Sequence, residues 1–349
     1  TLLCINALKA KKLDKNKEYI ERLKHELEMI KEKKFENYFL TLHKGIAEIQ
    51  KYIMQGPALG SGGGCLVNYL LGITQIDPIR FNLLFERFIS SARVSYPDID
   101  LDFENKEKAT EILKNVFGED NVIQIANYNT LQLKSLVKDI SKFYSIPFQE
   151  VNEVTRVMDG EVRKKVIKKG DDKNLFALTL DNATEHSPTF LKFITKYPFI
   201  DAHIKVLYQQ IKSIGAHAGG VLICDDIENK MPVIITKGNP KSPFVEGVNY
   251  RFLEELGFLK YDCLALLTLR IIRTCIEKIL TNTKVDSKFD NVLDFYNKNL
   301  HPDVNAFDDM NVYKNVWWDR KYPAIFQFTE SFVQKYASQY KPVCIDDIC

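Results

Sequence analysis

Between Pro97 and Phe103 the chain alternates carboxylate and apolar residues: Asp98, Ile99, Asp100, Leu101, Asp102, Phe103. Successive side chains of an extended strand point to opposite faces. The pattern therefore predicts a strand with the three aspartates on one face and Ile99, Leu101 and Phe103 on the other. The apolar face must be buried, and the acidic face needs a reason to exist, because adjacent carboxylates repel. One reason is a divalent cation, since hard oxygen ligands suit Mg²⁺. The other is a solvated edge strand whose charges discourage further pairing. The run alone leaves both open.

The rest of the chain bounds the answer without choosing it. At 349 residues there is material for two or three domains, and 45% apolar with 27% charged residues is ordinary for a water-soluble globular fold. A net charge of +2 neither demands nor excludes a polyanionic partner, so any nucleic-acid footprint must come from local clustering. No apolar run approaches the length of a membrane span, and the opening residues do not read as a secretory signal. The seven cysteines are scattered and form no CxxC pair, which argues against a structural zinc site and for a reducing, cytoplasmic setting. The chain opens at Thr1 without Met and closes at Cys349 directly after Asp346, Asp347 and Ile348. These ends are expected of a fragment, a processed product or one piece of a split protein.

Helical periodicity is clearest over Leu13–Lys31, where Tyr19, Leu23, Leu27 and Ile30 recur on one face among Lys and Glu. The Gly-rich segment Gly56–Gly64 follows, then an apolar stretch, Cys65–Ile73, that reads as a helix entered from that loop. After the acidic strand, Lys106–Val116 and Leu131–Tyr144 read as helices, and Pro147–Tyr208 as mostly helical and polar. Gly220–Cys224, Val233–Thr236 and Phe258–Tyr261 are β-like, and an apolar helix is expected over Leu264–Leu280. This order predicts one mixed sheet split in sequence by a helical insertion, with a further helix-rich region from about Thr268.

Four features beyond the acidic run are candidates for chemistry. The loop around Gly60 and Ser61 exposes backbone N–H groups before a helix, as a phosphate cradle does, but a flexible surface loop has the same composition. It is not a Walker A loop, since no Lys-Ser or Lys-Thr follows the glycines. Lys260 and Asp262, two apart on a strand, share a face; Asp262 can join a cation held by the acidic strand while Lys260 offsets substrate charge, or the two form an ordinary ion pair. His217, in Gly215–Gly220, sits among small residues that permit close approach of a ligand or another backbone. Arg87 either binds phosphate or pairs with Glu86 or an aspartate of the run.

The order and wording of these pieces resemble the family C replicative DNA polymerases, the bacterial DNA polymerase III alpha subunit and its phage relatives. The matching words are GPALGSGGG from Gly56, YLLGITQIDPIRFNLLFERF from Tyr69, SYPDIDLDF from Ser95, GAHAGGV from Gly215, LKYDCLALLTL from Leu259 and AIFQFTES from Ala324. The resemblance implies an α+β (mixed) chain: a nucleotidyltransferase-type palm sheet over 1–130 and 209–266, interrupted by a helical thumb over 131–208, with the start of the fingers over 267–349. It implies that Asp98, Asp100 and Asp262 are the metal-binding catalytic carboxylates and that Asp102 is only their neighbour. Gly60, Ser61, Lys260 and Arg87 match positions that contact the incoming triphosphate, and His217 lies in a palm motif near the active site.

The reaction implied is two-metal transfer from a dNTP to a primer 3′-hydroxyl, with Mg²⁺, or Mn²⁺ in its place, and release of pyrophosphate. The partners implied are primer–template DNA, the dNTP, the remaining polymerase polypeptide and, through parts outside this chain, a sliding clamp, at the nucleoid or an infected-cell replication site. The basic stretch Lys164, Lys165, Lys168 and Lys169 would track duplex backbone from a helix face, unless that face is simply solvated. Two departures stand out. Leu59 occupies the place of the family's loop arginine, and Ala58 that of a glycine, which removes a bidentate phosphate donor. Those departures favour the alternative expectation of a non-catalytic DNA-binding or assembly module derived from such a polymerase.

Overall fold

The computed structural model describes residues 1–166, 176, 178–245, 248–249, 251–323, 325–328 and 331–348. Three helices open the chain: α1 (Leu2–Ala10), α2 (Lys17–Glu32) and α3 (Glu36–Ile49). Helix α2 starts where the Asn16 side chain accepts the Glu18 amide as an N-cap, and it buries Tyr19, Leu23, Glu26 and Ile30 on one face. The glycine segment forms a 3₁₀ turn over Gly60–Gly64, followed by the short helix α4 (Leu66–Leu70). That is shorter than the helix expected over Cys65–Ile73, because Gly72, at φ +71°, turns the chain where an L-residue would be strained.

The acidic run becomes β1 (Asp100–Phe103), followed by α5 (Lys106–Phe117), which Asn105 caps, and β2 (Val122–Thr130). The strand is shorter than the alternation suggested, and Asp98 lies outside it. A helical stretch follows: α6 (Leu133–Phe143), α7 (Phe148–Val166), α8 (Leu180–His186), α9 (Pro188–Lys196) and α10 (Pro198–Leu207). The chain returns in β3 (Ile211–Ile223), α11 (Ile227–Lys230), β4 (Ile234–Thr236), β5 (Asn239–Ser242), α12 (Arg251–Glu255) and β6 (Leu259–Ala265). Helices α13 (Leu267–Asn282) and α14 (Phe289–Asn299) come next. The helix expected from Leu264 thus begins at Leu267, because Leu264 and Ala265 pair with Asp102 and Phe103 in the sheet.

The strands form one mixed six-stranded sheet in the order β1-β6-β3-β2-β5-β4. β1 runs parallel to β6, and β6 antiparallel to β3, with Asp100 opposite Asp262 and Asp262 opposite Gly220. β1 is not left bare on its other side. Isolated bridges join Gln55 to Phe103 and Leu59 to Asp100, so the segment leading into the glycine turn runs antiparallel along the acidic strand. This covering answers the edge-pairing problem without calling on the aspartates.

The chain divides into two units, residues 1–125 with 217–349 and residues 126–216. In the first, Tyr38, Ile46, Ile49, Leu66, Phe85, Phe103 and Tyr261 belong to a single buried cluster. The second has a core of its own, including Val137, Met158, Val162, Phe190, Ile200 and Ile204. Among the described residues no helix is long and apolar enough to cross a membrane.

Candidate active site

Strand pairing brings Asp100 and Asp262 to the same register on adjacent parallel strands, although 162 positions of chain separate them. Burial raises the pKa of Asp100, the charges of Asp262 and Asp98 raise it further, and Lys260 pulls it down. Lys260 is itself buried, and its Nζ donates to Asp262 Oδ2 at 2.6 Å. This is the ion-pair alternative for Lys260 and Asp262, realised inside the site and not on the surface. The other oxygen, Asp262 Oδ1, is buried and has no hydrogen-bond partner among the described residues. A buried carboxylate oxygen without a donor is costly unless something electropositive completes it. Two carboxylates side by side, one with an orphaned oxygen, form a hard-oxygen donor set that fits a divalent cation.

Asp98 is not assembled with them. Its carboxylate is exposed and pairs with Arg93 Nη2 at 3.2 Å. Among the described residues no group of three His, Cys, Asp or Glu side chains is arranged to hold an ion. The face sharing expected of Asp98, Asp100 and Asp102 also differs: Asp98 is exposed, Asp100 half-buried and Asp102 buried. Asp102 lies against the glycine segment, where a Cβ on Gly56 would fall 1.8 Å from its Oδ2, and burial raises its pKa. Together with Leu59, Lys106, Ala218, Leu264 and Phe326 it lines a cavity of about 340 Å³.

The glycine turn meets the site at its exposed end. Gly60 adopts φ +66°, and a Cβ there would lie 2.8 Å from Asp100 Oδ2. Gly60 and Ser61 are the accessible residues of the turn, whereas Gly62, Gly63 and Gly64 are buried. The first amides of α4 are not available to a phosphate. The buried Glu26 carboxylate accepts from Leu66 N at 3.0 Å and Val67 N at 2.9 Å, and Arg22 pairs with the same carboxylate at 2.7 Å. The expected cradle therefore narrows to Gly60 and Ser61.

His217 folds back over its own chain. Its Nδ1 accepts from Gly219 N at 3.2 Å and Gly220 N at 2.6 Å, which leaves the proton on Nε2. Burial lowers its pKa, against a smaller upward pull from Asp262. The small neighbours have identifiable work: a Cβ on Gly220 would meet His217 Nδ1 at 2.7 Å, and one on Gly219 would meet the β6 backbone at Cys263 O at 2.9 Å. Arg87 is exposed, and Glu86 pairs instead with His25. Lys164 and Lys165 are exposed near the end of α7, while Lys168 and Lys169 lie outside the described residues.

Sequence reasoning missed two contributors. Arg93 sits in an unremarkable loop, and nothing in its spacing marks it as a partner of Asp98. Tyr38, in α3, stacks between Tyr96 at 5.1 Å and Tyr261 at 5.2 Å, and its hydroxyl donates to Pro97 O at 2.8 Å. That stack links the segment before Asp98 to the strand that carries Lys260 and Asp262, a contact distant in sequence and invisible to local pattern.

Comparison with known proteins bears on this geometry. Residues 2–265 match the family model described as the bacterial DNA polymerase III alpha NTPase domain. Over 96% of its length the chain is 30% identical to DNA polymerase III subunit alpha of Campylobacter jejuni, covering 26% of that protein. It is 32% identical over 95% of its length to the Aquifex aeolicus protein of the same name, covering 28% of it. With the subunit from Ureaplasma parvum the identity is 31% over 99% of this chain and 33% of the relative. The chain thus spans about a quarter to a third of the length of these curated relatives.

Proposed function

The chain belongs to the bacterial DNA polymerase III alpha family, and from that premise we propose that it carries the catalytic carboxylates of a DNA-templated DNA polymerase. The reaction is transfer of a nucleotide from a dNTP to a primer 3′-hydroxyl with release of pyrophosphate. Residues 1–130 and 209–266 form the palm, residues 131–208 the thumb, and residues 267–349 the start of the fingers. Further parts of the nucleotide and template sites come from the remaining polymerase polypeptide.

The observation that carries this reading is the Asp100–Asp262 pair, set at one register of a parallel strand pair with the orphaned Asp262 Oδ1 beside it. Asp98, Asp100 and Asp262 would hold Mg²⁺. When bound, the ions supply Lewis acidity, favouring the ionised primer hydroxyl and stabilising charge on the leaving pyrophosphate. The chain's own residues do the rest. Lys260 pairs with Asp262 at 2.6 Å and brings a cation to where triphosphate charge accumulates. Gly60 and Ser61, accessible beside Asp100, offer backbone amides to phosphate oxygens. His217, through the Nε2 proton, adds a donor, and the exposed Arg87 is a further cation for phosphate. Lys164 and Lys165 contact the duplex backbone.

The test is Mg²⁺-dependent primer extension by the polymerase assembled from this chain and the remaining polypeptide. Asp100→Ala should abolish extension while leaving thermal melting of the chain within about 1 kcal/mol of wild type, since a half-buried, repelled carboxylate contributes little to folding. Retained extension would sink the assignment. A second reading, a DNA-binding or assembly module without catalysis, is favoured by Leu59 in place of an arginine and by Glu26 occupying the α4 amides. It requires primer–template binding with no extension by the wild-type assembly.

A further inference from the structure

Asp98 stands apart from Asp100 and Asp262 although the backbone beside it is held fast. Tyr38 Oη donates to Pro97 O at 2.8 Å, the Tyr96 ring lies stacked on Tyr38, and Ile99 is buried at 2% exposure. The residues on both sides of Asp98 are thus anchored, and what remains to turn is its side chain. Arg93 is anchored independently of that side chain. Its Nη2 donates to Tyr96 O at 2.8 Å and its Nε to Ser95 O at 3.3 Å, so the guanidinium is already placed when the Asp98 carboxylate arrives at 3.2 Å. Electrostatics explains why Asp98 takes this place. Asp100 already feels the charges of Asp262 and Asp98, and turning Asp98 inward without a cation would strengthen that repulsion.

We propose that Arg93 is a positioning residue that parks Asp98 away from the Asp100–Asp262 pair, so that a divalent cation recruits its third carboxylate by rotation of one side chain. The inference rests on the reading of Asp98 as a metal ligand. Asp98 is 69% exposed and Arg93 28%, the setting in which ion pairs are weak. The contact is strong enough to set the resting rotamer and weak enough for a dication to displace. The cost of parking is a modest reduction in metal affinity. The gain is that three carboxylates are never crowded together with Lys260 as their only counter-charge.

The test is Mn²⁺ binding to the chain, followed by electron paramagnetic resonance of free ion, in wild type, Arg93→Met, Asp98→Asn and the double variant. Asp98→Asn should weaken binding. Arg93→Met should tighten it about two- to fivefold, and should do nothing once Asp98 is Asn. Unchanged or weaker binding by Arg93→Met overturns the proposal, as does equal tightening in both backgrounds, which would report only the long-range field of a cation. If Asp98→Asn binds like wild type, the ligand reading of Asp98 falls and takes the parking role with it. If Arg93→Met binding is obscured by misfolding, the wild-type protein decides: Arg93 side-chain NMR resonances should move on titration with Mg²⁺, and in Asp98→Asn they should not. Resonances that stay still in wild type overturn the proposal.

Discussion

Gly56 and Gly60 show how narrowly the acidic strand is fitted. Each lies against one aspartate, Gly56 with a hypothetical Cβ 1.8 Å from Asp102 Oδ2 and Gly60 with one 2.8 Å from Asp100 Oδ2. Gly56→Ala forces the buried Asp102 carboxylate to move and should destabilise the chain by about 1–3 kcal/mol in urea melts. In an Asp102→Ala background the same change should cost clearly less, because the obstructing atoms are gone. Gly60→Ala adds backbone strain at φ +66° and pushes on Asp100. It should cost about 1–2 kcal/mol of stability and weaken Mn²⁺ binding as well. At this scale the sequence was partly legible. Alternation singled out the aspartates, but it put all three on one face with equal standing. Burial then ranked them, and burial depends on the covering segment Gln55–Leu59, which alternation along one strand does not specify. Arg93 was not legible at all, since an arginine five residues before an aspartate has no preferred local geometry outside a helix.

Among the elements, the glycine turn and α4 depend on α2. Glu26 is fully buried, and its carboxylate ties down Leu66 N, Val67 N and Arg22. Glu26→Ala would leave the Leu66 and Val67 amides and Arg22 Nε without this acceptor and should cost about 3–5 kcal/mol, measured by urea denaturation. Glu26→Gln, which keeps an acceptor in place, should cost less. The heptad-like stripe of α2 foretold the helix, and its observed start at Lys17 follows from the Asn16 cap. The stripe did not foretell that a carboxylate would sit within it, because a Glu on the buried face looks like an error until its donors from α4 are seen. Strand ends were similarly opaque. Leu264 and Ala265 are as apolar as the helix that follows, and only pairing with β1 assigns them to the sheet. β2 went unnoticed because its Asn- and Gln-rich half has no apolar alternation.

For the molecule as a whole, each unit has a core of its own, and two depressed carboxylates tie the stability of the second to pH. In residues 126–216, burial pushes the Asp159 carboxyl up, but bonds from Lys134 at 2.8 Å and Arg163 at 2.9 Å outweigh it and hold the group below its ordinary range. Glu161 behaves alike, its burial outweighed by bonds from Ser187 at 2.6 Å and Thr189 at 2.7 Å. A depressed carboxylate stabilises fully above the unfolded-state pKa and loses that contribution as pH falls through the folded value. Protection of α7 and α9 amides against hydrogen exchange should therefore fall below about pH 4. The double variant Asp159→Asn, Glu161→Gln should show less protection at pH 7 and a flatter acid profile. The sequence by itself determined the mixed class of the fold, most helices and the identity of the candidate carboxylates, because periodicity and motif are local and need no partner to be recognised. Tertiary structure decided which of those carboxylates meet, since that follows from strand register between Asp100 and Asp262, from the bridge that covers β1 and from the Tyr38 stack. All three are contacts between segments far apart in the chain, and their energies are fixed by packing and not by neighbours in sequence. So the acidic run announced that charge would be concentrated in one place, and the fold determined that at rest it is held as a pair with Asp98 set aside on Arg93.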